Sequence, residues 1–249
     1  ERDTHIGETV LEVKNLSDGG LRVKNVSFQA HAGEVLGFAG LVGAGRTETM
    51  RMIFGADKRV SGEIFIRGRE VDICSPRDAI RNGIGFVTEN RKEEGLFLRS
   101  SIKVNTVMVA LKKILKAGLY FDFKKEKAYA EEYVKKLHTA TSSVNKRVMF
   151  LSGGNQQKVV LAKWLLSDAD IIILDEPTRG IDVGAKREIY EIINELVAEQ
   201  KVVIVVSSDM EEVIGICDRI IVMHEGVISG EVSKENFTQS TIGQLSVGG

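Results

Sequence analysis

The sequence predicts an α/β fold built around a parallel sheet, and three observations carry that prediction. Residues 171–174 and 202–206 are apolar on successive positions, the pattern of strands buried on both faces. An amphipathic helix from about Val183 to Glu199 separates them, long enough to serve as the crossover that joins parallel strands. A glycine-rich segment from Gly40 to Gly45 follows a third strand and opens a helix, the local order of an anion-binding turn.

The elements follow in order. Residues 11–16, 26–30, 34–39 and 62–66 alternate or cluster β-formers between glycine-rich turns and read as strands. A short helix interrupts them at 46–54. From about 88 to 163 the character becomes helical, and Tyr129, Tyr133 and Leu137 recur at i, i+4 and i+8 as one apolar stripe on a charged rod. Residues 219–223 and 227–232 form a last strand pair turning at Glu225 and Gly226, before a polar C-terminal segment. There is no internal repeat and no low-complexity tract.

Composition bounds the function. The 249 residues carry 34 basic and 35 acidic side chains, a net charge of -1 that gives no reason for long-range attraction to nucleic acid or anionic lipid. No apolar run approaches the 18 or so residues that span a bilayer, so this chain is not itself a pore. Cys74 and Cys217 have neither CxxC nor metal-ligand spacing and read as small buried hydrophobes, which fits a reducing, cytoplasmic setting. The abrupt, charged opening at Glu1 suggests a piece of something longer, with residues 1–8 as a linker from a preceding domain.

Three motifs carry chemistry. Gly40, Gly43, Ala44, Gly45, Arg46 and Thr47 have the spacing of a phosphate-binding P-loop, with Arg46 where lysine is expected; glycines let the backbone wrap an anion, and Thr47 offers a hydroxyl to Mg2+. By itself the segment also reads as a tight turn. Residues 171–174 deliver Asp175 and Glu176 at a strand end, the Walker B arrangement when it accompanies a P-loop: Asp175 for the Mg2+ shell, Glu176 to polarise water. Alone, the pair is an ordinary strand end before Pro177. The run Leu151-Ser152-Gly153-Gly154-Asn155-Gln156-Gln157 precedes a helix with Val160, Leu161, Trp164 and Leu165 on its apolar side, and lies about 20 residues before Asp175.

That order, P-loop, Leu-Ser-Gly-Gly and Walker B, resembles the ATPases of the ABC transporter family over essentially the whole chain from about Val10. Residues 83–105, with Glu89, Asn90, Arg91, Lys92 and Gly95, narrow the resemblance to the second ATPase half of monosaccharide importers of the ribose, xylose and galactose type. Without that pattern, Arg91 and Lys92 read as solvated charges.

The resemblance implies an ABC-type P-loop NTPase fold: a parallel sheet core, an N-terminal antiparallel β subdomain and an inserted helical subdomain at about 88–163, within one ATPase domain over 1–249. It implies ATP and Mg2+ as cofactors. Gly40, Gly43, Ala44, Gly45, Arg46, Thr47, Glu48 and Glu89 would hold nucleotide in cis, and Thr47, Asp175 and Glu89 the metal. Ser152, Gly153, Gly154 and Gln156 would meet a nucleotide held by an opposing half, and residues 178–182 would follow the D-loop along a dimer interface. Glu176 and Ser208 are the catalytic candidates. The implied partners are a second ABC ATPase half, transmembrane permease subunits and, indirectly, a periplasmic or extracellular sugar-binding protein, with the chain peripheral at the cytoplasmic membrane face.

The sequence departs from an active family member around one nucleotide: Arg46 replaces lysine, Glu89 stands at the Q-loop glutamine, and Ser208 stands where a switch histidine is expected. Arginine keeps the charge but not the compact ammonium. None of the aromatics upstream of Gly40 is placed to stack on adenine; Leu16 and Leu21 are the nearby apolar candidates. The expectation is a slow or silent site of its own, with an intact signature serving a partner half in trans. Two other readings remain open: a non-hydrolysing nucleotide sensor, and an ABC ATPase acting on ribosomes or DNA, the latter opposed by the near-neutral charge.

Overall fold

The computed structural model describes residues 5–116 and 118–248. Residues 1–4 of the expected 1–8 linker lie outside them. In chain order the elements are β1 (Thr9–Ser17), β2 (Val26–His31), β3 (Val35–Gly40), α1 (Arg46–Ile53), β4 (Ser61–Ile66), β5 (Arg69–Glu70), α2 (Pro76–Arg81), β6 (Ile84–Val87), α3 (Ile102–Val107), β7 (Leu115–Lys116), β8 (Tyr120–Phe121) and α4 (Phe123–Lys136). They continue with α5 (Gly153–Leu166), β9 (Ile171–Asp175), α6 (Val183–Ala198), β10 (Val202–Val206), α7 (Met210–Ile216), β11 (Arg219–His224), β12 (Val227–Ser233) and α8 (Gln239–Ser246). They form two compact units, one from residues up to 86 with 170–176 and 193 onward, the other from 87–169 with 177–192.

The first unit holds a six-stranded sheet in the order β12-β11-β3-β10-β9-β6 and a four-stranded sheet in the order β2-β1-β4-β5. Every residue of β9 and β10 is buried, as their unbroken apolar runs require, and each such Val or Ile contributes about 1.5–3 kcal/mol. β10 runs parallel to both β9 and β3, with Val206 level with Asp175 on one side and Phe38 on the other. That register brings the carboxyl ends of three strands together, where ligands of open α/β sheets bind. The four-stranded sheet is antiparallel throughout, with Val13 opposite Phe28 and Ile64. In the core Phe28 meets Phe38 edge-on at 5.0 Å between ring centroids.

In the second unit α3, α4 and α5 pack together. Tyr129 and Tyr133 lie half-buried against Val107, Ala110, Ile114 and Leu166, so the stripe expected on α4 faces a core. Asp122 and Ser101 cap α4 and α3 by accepting from backbone N–H groups of the first turn. Residues 177–192 also belong to this unit, returning to it after β9.

Three expectations are corrected here. α5 is buried nearly all round, Gln157, Lys158 and Lys163 included, instead of along one apolar side. Its lysines are accommodated because Lys158 Nζ donates to the His138 carbonyl at 2.9 Å and pairs with Glu188 at 2.8 Å, while Lys163 Nζ donates to the Gly95 carbonyl at 2.7 Å. Cys217 is buried, but Cys74 is exposed, in the loop before α2, where its thiol meets Asp72. Leu16 is fully enclosed in the first unit's core.

Candidate functional site

The residues expected to hold a nucleotide in cis, Glu89 apart, gather in the first unit at the carboxyl ends of β3, β9 and β10. Gly40, Gly43 and Gly45 have φ of 142°, 84° and 96°, and a Cβ on Gly45 would stand 2.4 Å from the Arg22 carbonyl. The chain turns there in a conformation only glycine takes without strain, and α1 starts directly after it. The first-turn N–H groups of α1 are out of reach of its internal ladder and so are available to an anion. Ala44 differs: its N–H donates to the Leu41 carbonyl at 3.0 Å and serves the loop's own turn.

Thr47 Oγ1 donates to Asp175 Oδ1 at 3.2 Å. Asp175 is 1% exposed and its Oδ2, also buried, has no hydrogen-bond partner. Burial pushes its carboxyl up to about 7; the Glu176 and Glu48 charges act in the same direction, while the Thr47 bond and Arg46 oppose them. An orphaned carboxylate oxygen beside a hydroxyl is a hard-oxygen set that fits Mg2+, which takes few protein ligands and completes its shell from phosphate and water. No cluster of three or more His, Cys, Asp or Glu suited to a metal exists among the described residues.

Glu176 sits in the left-handed region at φ 47°, a conformation costing a non-glycine residue about 1–3 kcal/mol. Two bonds hold it there: its N–H donates to the Val206 carbonyl at 2.8 Å, and its Oε1 accepts from the Ser208 N–H at 2.7 Å. Ser208 therefore meets Glu176 through its backbone and not through the hydroxyl that its place at the switch position suggests. Arg46, 6% exposed, donates through Nη1 to the Ser207 carbonyl at 2.5 Å; burial lowers its pKa, opposed by the charges of Glu176, Asp175 and Glu48. The guanidinium reach that distinguishes arginine from lysine here ties α1 to the loop after β10. Glu48 is ion-paired with Arg22 at 2.7 Å. Of the two adenine candidates, Leu16 is buried and Leu21 is 83% exposed, so only Leu21 is open to a base.

The other expected site residues lie in the second unit. Ser152 caps α5 from an exposed position, its Oγ accepting from Asn155 Nδ2 at 2.8 Å. A Cβ on Gly153 would lie 2.8 Å from Arg91 Nη2 and 3.0 Å from the Gly180 carbonyl; one on Gly154 would lie 2.5 Å from Ala185 Cβ. The two glycines thus let this turn pack against residues 178–185. Gln156, expected to touch nucleotide, is corrected: it is 5% exposed and its Nε2 donates to the Val148 and Leu151 carbonyls at 3.3 Å, bracing the preceding loop. Asn155, half-buried against the Ser152 hydroxyl, was not singled out by sequence; its signal was its place directly after the Leu-Ser-Gly-Gly run.

Arg91 is a second correction. It is 9% exposed, and it donates to the carbonyls of Arg179 at 2.9 Å and Gly180 at 3.3 Å. Only Lys92 of that pair is exposed. Glu89, expected among the metal ligands, is ion-paired with Arg179, in a pocket of about 470 Å³ lined also by Asn90, Arg91 and Lys92. Its negative charge is met by a cation of its own unit.

The family described as ABC transporter matches residues 23–179. A ribose import ATP-binding protein of Clostridium tetani is 49% identical over 97% of this chain and 48% of its own length. A second, from Caldanaerobacter subterraneus, is 50% identical over 98% and 49%. A putative ribose/galactose/methyl galactoside import ATP-binding protein of Halalkalibacterium halodurans is 48% identical over 98% and 46%. The chain spans about half the length of these relatives. Among solved structures, a nucleotide-free ATP-binding cassette superposes with a TM-score of 0.80 over 97% of this chain and 100% of its own, at 18% identity. A dimeric cassette in a post-hydrolysis state with ADP and Pi gives 0.76 over 91% and 100%, at 24% identity. These last two carry the α/β cassette fold alone; the family match over more than half the chain and the relatives near 49% identity place this protein in the ABC transporter family.

Proposed function

We propose that the chain is a nucleotide-binding domain of a sugar-uptake ABC transporter, an ATPase domain that binds ATP with Mg2+ and couples binding and turnover to transport. The observation that carries the nucleotide reading is the cluster of Thr47, Asp175, Glu176 and Arg46 beside a glycine turn, with a buried carboxylate oxygen left without a partner. The sugar reading rests on the ribose and galactoside import proteins to which the chain is similar.

In this reading the glycine turn and the first turn of α1 bind the phosphates, and Arg46 adds positive charge. Thr47 and Asp175 would hold Mg2+, which would supply charge neutralisation to the phosphates. Glu176, fixed by Ser208 N–H, orients and deprotonates the attacking water. With a serine backbone in place of a side-chain donor at the switch position, one transition-state contact is missing, a loss typically worth about 100 to 1000-fold in rate. The site is therefore slow or silent. Ser152, Gly153 and Gly154 act on a nucleotide held by a second ATPase half, and the partners are that half, membrane permease subunits and a sugar-binding protein outside the cytoplasm. The chain works from the cytoplasmic face; no helix among the described residues is long and apolar enough to cross a membrane.

The first test is equilibrium binding of ATP to this chain with and without Mg2+. Micromolar binding that Mg2+ strengthens supports the cis site, and no binding up to millimolar ATP removes it. Turnover that Glu176→Gln abolishes would separate a slow ATPase from a non-hydrolysing sensor.

A further inference from the structure

The β7–β8 hairpin and the start of α4 carry a surface that nucleotide chemistry does not use. Between residues 111 and 127 stand six lysines, Lys112, Lys113, Lys116, Lys124, Lys125 and Lys127, against two acids, Asp122 and Glu126. Both acids turn inward. Asp122, 6% exposed, caps α4 and pairs with Lys116 at 3.3 Å; Glu126, 3% exposed, pairs with Lys103 at 3.0 Å. Lys113 is paired with Asp168, and Lys127 with Glu131 at 3.5 Å, which leaves Lys112, Lys124 and Lys125 as exposed cations around the hairpin.

Among these cations the chain displays apolar side chains. Leu119 is 80% exposed, Tyr120 72% and Phe123 68%. The rings of Phe121 and Phe123 touch in a tilted arrangement, 4.8 Å between centroids and 50° between planes, and the hairpin is anchored by the fully buried Ile114, whose carbonyl accepts from the Asp122 N–H at 2.8 Å. These residues are not core that failed to close, because α4 buries Tyr129 and Tyr133 on its other side.

We infer that this hairpin is a lipid-contact element, seating Leu119, Tyr120 and Phe123 in the headgroup region of an anionic bilayer while Lys112, Lys124 and Lys125 meet lipid phosphates. Leu119, Tyr120 and Phe123 stand exposed in a segment that also carries exposed lysines, a combination whose charge complements an anionic headgroup layer. They match the amphipathic ring and lysine anchors that sit at membrane surfaces. The whole-chain charge of -1 gives no reason for long-range attraction to anionic lipid; the proposed contact is local, because screening confines the interaction to the nearest ten or so ångströms. The inference does not depend on the transport reading.

The test is co-sedimentation of the chain with phosphatidylcholine vesicles with and without phosphatidylglycerol. The chain should sediment with the anionic vesicles, less so as salt is raised. The triple variant Leu119→Ser, Tyr120→Ser, Phe123→Ser and the triple variant Lys112→Gln, Lys124→Gln, Lys125→Gln should each lower partitioning at least about tenfold. Circular dichroism checks that both variants fold. Absence of binding to anionic vesicles, equal binding to neutral ones, or binding that neither variant changes overturns the proposal. So does retention on a detergent-solubilised permease without any vesicle binding, which would assign the tip to a protein partner.

Discussion

At the scale of single residues, Arg46 concentrates the difference between this site and an ordinary P-loop. Its bond to the Ser207 carbonyl is charge-assisted and buried, so Arg46→Ala should cost about 2 kcal/mol in urea denaturation and weaken nucleotide binding. Arg46→Lys should keep part of the binding while losing the tie, since a compact ammonium lacks the reach and the fork of a guanidinium. Equal stability of the alanine variant and the wild type would mean that the tie contributes nothing. Lys163 gives a pH test. Burial lowers its pKa from 10.5 to about 8. The native state releases this proton first, so between about 8 and 10.5 the unfolded chain holds more protons and stability rises with pH; the penalty is present in full below 8. Relative to Lys163→Met, wild type should gain up to about 3 kcal/mol across that window, read from urea midpoints at the two ends. A difference between the two proteins that does not move with pH would show that the ammonium is not penalised by burial.

At the scale of elements, the turn before α5 depends on what packs against it. A Cβ on Gly153 would press on Arg91 Nη2 and on the Gly180 carbonyl, and Arg91 is itself held by the carbonyls of Arg179 and Gly180, so neither gives way freely. Gly153→Ala should destabilise by about 1–3 kcal/mol through overpacking. Arg91→Ala, which leaves two carbonyls without their donor, should lower Tm by about 5 °C in a calorimetric scan. The Glu89–Arg179 pair is different in kind: both side chains are more than a third exposed, so Glu89→Gln should change stability by less than about 1 kcal/mol. A larger loss would mean that the pair organises the loop between β6 and α3.

At the scale of the whole molecule, a ligand that binds only the folded chain raises its unfolding free energy, by about 2.7 kcal/mol at one hundred times Kd. Mg2+ with ATP should therefore raise Tm more than ATP alone, and Asp175→Asn should remove that difference while sparing the metal-free shift. Fused or mixed with a second ATPase half, Ser152→Ala should slow the ATPase of the pair without changing ATP binding to this chain; an unchanged rate would dismiss the trans role.

The sequence by itself determined the α/β class, because strands buried on both faces must be apolar on every residue, as in β9 and β10, and because glycine, Asp175 and Glu176 stand at strand ends with fixed spacing. The family resemblance was legible in those same short spacings. Only the tertiary structure decided which polar residues are spent inside the protein. Gln156 and Arg91 read as polar positions of a motif and a charged loop, yet each satisfies backbone carbonyls, Arg91 those of residues almost ninety positions away. Likewise, the return of residues 177–192 to the helical unit and the level of Val206 with Asp175 depend on contacts between distant segments. Periodicity and spacing report on a residue's neighbours along the chain; the partner of a buried polar group is fixed by packing, and packing is where an uncompensated charge or carbonyl costs most.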